Sequence, residues 1–154
     1  MRKIIIRTIA ALSLLASLSL ATVYAQSNSR SAFKIPFEFT AGDQTFPAGE
    51  YRVEALPNGA SAWVRISSDG GRKSSTFTSL TQAFGKTDPV GKLVFNRYGD
   101  QYFLRRYNAA GDHKECDLVP SRAEKALIKK ARAGKDYLAS APTIIEIGAL
   151  EQGN

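Results

Sequence analysis

One cysteine, one histidine and one tryptophan stand in a chain of 154 residues, and those scarcities narrow what the protein can be. With Cys116 alone, no disulfide can form within the chain, so the fold must be stable without one. Three fates remain for that thiol: a buried inert side chain, a bond to a second molecule, or a reactive group. With His113 alone, nucleophilic catalysis has a single candidate base, and no local signature surrounds it. The glycines Gly70-Gly71 lie between two strand-like segments rather than between a strand and a helix, so they form no phosphate loop. No fixed-period repeat and no cofactor motif is present, and no cofactor is expected. Paired carboxylates of the glycosidase kind have no signature here either, which leaves a small hydrolase as the least supported class.

The charge is one-sided only in part, with 21 Lys and Arg against 14 Asp and Glu. Three of the cations, Arg2, Lys3 and Arg7, stand at the start, before an apolar stretch from Ile9 to Leu20. Val23-Tyr24-Ala25 then offers the side chains a signal peptidase reads, so residues 1–25 are expected to be a signal peptide cut after Ala25. The uncharged run over 8–25 is 18 residues long, which also reaches the length of a membrane anchor. No cysteine stands at the cut, so lipid attachment at a new N-terminus is not expected. Cleavage would leave 18 cations against 14 anions, a net charge of +4. That is an ordinary solubility charge. The expected location is periplasmic or extracellular, with no nucleic-acid partner and no transmembrane helix after cleavage.

Residues 26–32 are polar and read as a linker, and residues 33–150 read as one β domain. Phe33, Ile35, Phe37 and Phe39 alternate with Lys34, Glu38 and Thr40, the period of a strand with one face on a core. Pro36 sits inside that run and marks an edge or a bulge. Turn residues follow at short intervals: Ala41-Gly42-Asp43, Pro47-Ala48-Gly49, Pro57-Asn58-Gly59 and Asp69-Gly70-Gly71. Between them lie strand-like segments over 51–55, 62–66 and 76–81. A hairpin is expected over 92–107, reversing at Gly99-Asp100 and pairing Tyr98 with Gln101. Further strands are expected over 112–118 and 143–149, the last of them closing the sheet against the first. Ser121-Arg122-Ala123-Glu124 is a capping box opening a helix near 121–133, stopped by Gly134. Ala123, Leu127 and Ala131 fall on one side of it; Arg122, Lys125, Lys129 and Arg132 fall on the other. The expected architecture is a mainly β, small antiparallel barrel or sandwich of about seven to nine strands with one C-terminal helix, a closed barrel being preferred.

Strict alternation along the hairpin puts Leu93, Phe95, Tyr102 and Leu104 on one face, with Arg97 and Arg106 toward its ends. It puts Tyr98, Phe103, Arg105 and Tyr107 on the other, with Val94 and Asn96. Rings interleaved with a guanidinium suit a sugar or a flat apolar ligand, unless the helix covers them. The four cations of the helix are either a solvated face or a patch for anionic surfaces. In His113-Lys114-Glu115-Cys116-Asp117, the residues His113, Glu115 and Asp117 share a strand face. That is a conceivable metal set, although same-face neighbours lie nearly ~7 Å apart. A solvated polar edge is the plainer reading, and Cys116 points away from His113.

Three segments resemble a family of small secreted β proteins from environmental bacteria. They are Phe33-Lys34-Ile35-Pro36-Phe37-Glu38-Phe39 with Pro47-Ala48-Gly49-Glu50-Tyr51-Arg52-Val53, the hairpin run from Lys92 to Leu104, and Ser121-Arg122-Ala123-Glu124. The resemblance implies export and a compact β fold, and it carries over no catalytic residue. The function expected is that of a non-enzymatic exported protein that binds a small apolar or carbohydrate ligand. The alternative is an envelope interaction module with a filled core. Export is checked by the mass of the secreted product, which should begin at Gln26; a product retaining residues 1–25 in the membrane would establish the anchor instead.

Overall fold

The computed structural model describes residues 30–58, 61–68, 70–71, 73–84, 86–133 and 141–150. The expected signal peptide, the start of the expected linker and Gly134 lie outside them. Among the described residues ten strands are formed. They are β1 Arg30–Ile35, β2 Phe39–Ala41, β3 Gln44–Phe46, β4 Gly49–Asn58, β5 Ser61–Ser68, β6 Ser74–Phe84, β7 Lys92–Tyr98, β8 Gln101–Asn108, β9 Lys114–Leu118 and β10 Thr143–Gly148. One helix, α1 Arg122–Ala133, lies between β9 and β10. Among the described residues no helix is long and apolar enough to cross a membrane.

All ten strands belong to one sheet. Its main path runs β1-β4-β5-β6-β9-β8-β2-β3, with β7 on the other edge of β8 and β10 beyond β7. Every ladder is antiparallel except a single bridge, Thr40 to Phe103, which sets β2 parallel to β8. The mainly β class with a C-terminal helix is therefore as expected, but the preferred closed barrel is not formed. The last strand pairs with β7 instead of β1. Only its continuation reaches across, where Leu150 N–H donates to the Ala32 carbonyl at 2.7 Å.

Local chemistry explains where the elements begin and end. The alternation from Phe33 to Phe39 does not yield one strand, because Pro36 lacks a ladder donor and the pairing of β1 with β4 stops at Ile35. Two three-residue strands, β2 and β3, follow. The first strand also starts at Arg30, inside the segment that reads as linker. The two-residue reversals at Gly42-Asp43 and Gly99-Asp100 put glycine first at a positive φ of 55° and 59°. That is the II′ arrangement, whose twist matches the flanking strands. Tyr98 pairs with Gln101 as expected.

The inner face of the curved sheet is filled by side chains from eight strands. Phe33, Ile35, Phe39, Phe46, Tyr51, Val53, Val64, Ile66, Leu93, Phe95, Leu104 and Tyr107 are buried there, with Cys116 and Leu118. Ile145 and Ile147 of β10 pack against the same cluster from its open side. Aromatic rings meet in sequence. Phe39 stacks on Phe46 at 5.1 Å and presents its edge to Tyr51 and Phe95. Such pairs add about 0.5–1.5 kcal/mol each beyond their buried area.

Gly42 carries a steric demand that Gly99 lacks. A Cβ at Gly42 would lie 2.7 Å from Phe77 Cδ1, whereas nothing stands within 4 Å of one at Gly99. Alanine at either position meets the left-handed backbone cost of roughly 1–2 kcal/mol. Urea unfolding should therefore show Gly42→Ala losing clearly more stability than Gly99→Ala; equal losses would mean that the Phe77 ring moves aside freely.

Candidate functional site

The β7–β8 hairpin is the centre of the candidate site, and its faces are not those of strict alternation. The register shifts between Val94 and Phe95, so that Val94 faces Arg106 while Phe95 faces Leu104. Arg105 is the extra residue of a β-bulge, and beyond it every side chain of β8 changes face. Tyr107 consequently points into the core and is fully buried, its ring edge-on to Phe33 at 6.1 Å. Arg106 moves to the outer face. The expected aromatic face of Tyr98, Phe103, Arg105 and Tyr107 is thus divided. Tyr98 and Phe103 remain together at 5.9 Å on the outer side, with Phe103 buried.

Helix α1 covers that end of the outer face. Asn96, the cross-strand neighbour of Phe103, donates from Nδ2 to Glu124 Oε1 at 2.7 Å. Glu124 is only 1% exposed. The cap is half of the expected box: Ser121 Oγ accepts from the Glu124 amide at 3.0 Å, but the Glu124 carboxylate turns to the sheet. The helix therefore faces the sheet with Glu124, Leu127, Ile128 and Ala131, and Ala123 is exposed. Asp43 of the β2–β3 turn accepts from the first helical amide, Arg122 N–H, at 2.9 Å. Arg122, Lys125, Lys129 and Arg132 all lie on the exposed side.

Of the residues considered for a metal, the two carboxylates are held by arginines instead. His113 precedes β9 and is exposed. Glu115 bonds to Arg106 NH1 at 2.6 Å, and Asp117 to Arg106 Nε at 2.7 Å. Arg105 donates to the Leu118 carbonyl at 2.6 Å and lies 3.7 Å from the Asp117 carboxylate. The hydrogen bond to Asp117 holds the Arg106 guanidinium above the usual arginine range. Among the described residues no three potential ligands converge on a metal position. Cys116 alternates to the opposite face and is buried. Burial, with smaller contributions from Asp112 and Asp117, raises its thiol pKa, which fits the inert fate.

Beyond the bulge, the uncovered half of the same outer face forms a groove of about 440 Å³. Val94, Arg106 and Asn108 form part of its lining, with Glu115 of β9, Glu146 of β10 and the Lys86–Lys92 segment. Five of its charged side chains are paired, and Lys86 stands at its edge. Lys92 Nζ bonds to Asp88 at 2.7 Å and approaches Glu146 at 3.7 Å, while Arg106 holds Glu115. The bond to Lys92, helped by the Val90 amide, keeps the Asp88 carboxyl below the usual carboxylate range. One polar atom is left over. Asn108 Oδ1 is buried without a hydrogen-bond partner among the described residues. A buried acceptor in that state costs about 1–3 kcal/mol. Sequence reading picked out Glu115 here, as a metal candidate, but missed Asp88, Arg106, Asn108 and Glu146. Their proximity comes from strand pairing that no local pattern announces.

Comparison with protein-family models, with curated proteins and with solved structures returned no match.

Two buried acids link this arrangement to alkaline stability. Burial pushes the Tyr107 hydroxyl up from 10 to about 12, and it raises the Cys116 thiol as well. Both groups hold their protons more tightly folded than unfolded. Their contribution is therefore complete below the unfolded pKa values and is lost as pH rises. For Tyr107 the loss spans pH 10 to 12 and amounts to about 2–3 kcal/mol. Stability measured across that range should fall in the native protein and fall less in Tyr107→Phe. Cys116 should stay silent to a thiol reagent until the protein unfolds.

Proposed function

We propose that the protein is an exported, non-enzymatic binding protein whose outer-face groove takes a neutral, hydroxyl-rich ligand, a small carbohydrate. The observation that carries this reading is Asn108 Oδ1, a buried acceptor without a partner among the described residues, in a groove most of whose charges are paired. Sugars present dense donors and acceptors without net charge. The alternating Lys92, Glu146, Arg106 and Glu115 side chains offer the complementary set. A volume near 440 Å³ lies within the range of small-ligand sites. A mainly charged lining favours a carbohydrate over an apolar molecule.

Binding is favoured over hydrolysis for a chemical reason. A general acid in glycoside cleavage needs a carboxyl whose pKa is raised. Asp88 is shifted the other way, and Glu115 and Glu146 each lie against a cation. The second reading, an interaction module, draws support from the aromatic packing of the core, where Phe37 stacks on Tyr102 at 3.9 Å. A filled interior directs binding to the surface.

Asn108→Leu separates ligand recognition from structure. Removing a buried acceptor that has no partner should leave thermal stability unchanged or slightly higher. The same variant should abolish the mass shift that a neutral oligosaccharide panel gives the mature protein in native mass spectrometry. A destabilised Asn108→Leu would show the amide to be structural, and an unshifted native protein across the panel would remove the carbohydrate reading in favour of the module.

A further inference from the structure

A second surface, independent of that groove, lies on the outer face of β4, β5 and β6. Three cross-strand rows run across it. Ala32, Arg52, Ser67 and Ser74 form the first; Arg30, Glu54, Arg65 and Thr76 the second; Leu56, Trp63 and Thr78 the third. In the second row Glu54, 14% exposed, is gripped from both sides. Arg30 donates to its Oε2 from Nε at 3.0 Å and NH2 at 2.8 Å, and Arg65 NH1 to its Oε1 at 3.1 Å. The shared carboxylate holds both guanidiniums in place. Each has further N–H donors, and both groups line a groove of about 260 Å³ that Arg52, Ser67 and Ser74 also line.

Two guanidiniums on one carboxylate leave the row cationic. Trp63 stands two residues from Arg65 on the same strand face and is 43% exposed. Same-face neighbours on a strand lie nearly ~7 Å apart. A sugar ring lying on the indole would therefore bring an acid group on itself or its neighbour to Arg65. Planar carboxylates match planar guanidiniums in two-point contact. A large exposed aromatic beside paired, held arginines has the charge and shape complementarity for one partner chemistry.

We propose that this face binds an acidic polysaccharide of the uronate class, with Trp63 stacking on a sugar ring and Arg65 and Arg30 receiving its carboxylate. Trp63 is the only tryptophan in the chain, so its emission reads this face alone. The test is a fluorescence titration of the mature protein with polygalacturonate oligomers, and with the same oligomers methyl-esterified. The acid form should give a saturable change, the ester should bind at least ~10-fold more weakly, and added salt should weaken the acid form. Arg65→Gln, folded by circular dichroism, should lose at least ~10-fold in affinity, whereas Asn108→Leu should bind as the native protein does. Equal binding of acid and ester, or no saturable response to the acid form, would overturn the proposal. An equal response to dextran sulfate of matched charge would overturn the uronate assignment.

Discussion

The bulge at Arg105 is the constraint on which the rest of the structure depends. Strand β8 serves three neighbours: β7 along one edge, and β9 and β2 dividing the other. An uninterrupted strand would keep Phe103, Arg105 and Tyr107 on one face. The extra residue lets β8 put Leu104 and Tyr107 into the core, and Phe103 and Arg106 outside it, within six residues. Two consecutive arginines then grip β9. One reaches the Leu118 carbonyl, the other Asp117 and Glu115. Bulges bend a strand and increase its twist, which is what a sheet needs at the place where its path divides.

Charge placement follows from that geometry. Asp117 is nearly buried, and a carboxylate so placed is tolerated only when paired and hydrogen-bonded. Arg106 and Arg105 provide this from the adjacent strand, where the bulge brings both within reach. Glu124 faces the same requirement and meets it with the Asn96 amide. An acid that would ordinarily complete a capping box thereby becomes the polar contact holding a sparsely apolar helix to the sheet. Such contacts fix position more than they add stability, since a buried charge must first offset its own desolvation.

The fold was legible in the chain wherever the signal was local. Gly99-Asp100 set the hairpin register, Ser121 set the start of α1, and period-2 runs marked most of the strands. What escaped was phase and closure. No residue in Leu104-Arg105-Arg106-Tyr107 announces a bulge, so alternation assigned Tyr107 and Arg106 to the wrong faces. Phe33 to Phe39 keeps perfect alternation through Pro36, yet the ladder stops there because the missing donor counts for more than the pattern. The tail reads as a strand that would close the sheet against β1, and it pairs with β7 instead. The candidate groove was less legible still. Asp88, Asn108, Glu115 and Glu146 lie on four separate segments, and their common neighbourhood is a product of strand order.

A core so densely occupied by aromatic rings directs recognition outward. The inner face of the sheet holds Phe39, Phe46, Tyr51, Phe95 and Tyr107 against one another, and replacing any of them to open a pocket removes packing that a domain without disulfides needs. The outer face is under no such demand. Its side chains project from hydrogen-bonded ladders, so their spacing is set by the backbone and little entropy is lost in holding them. Arg30, Glu54 and Arg65 stand in one such row, and Lys92, Arg106 and Asn108 on another part of the sheet. In both places rigid strands hold polar groups in fixed array around a single feature that the fold itself leaves unmatched: an exposed indole at one, an acceptor without a donor at the other. Neither feature stabilises the free protein, and each is what the proposed ligand would match.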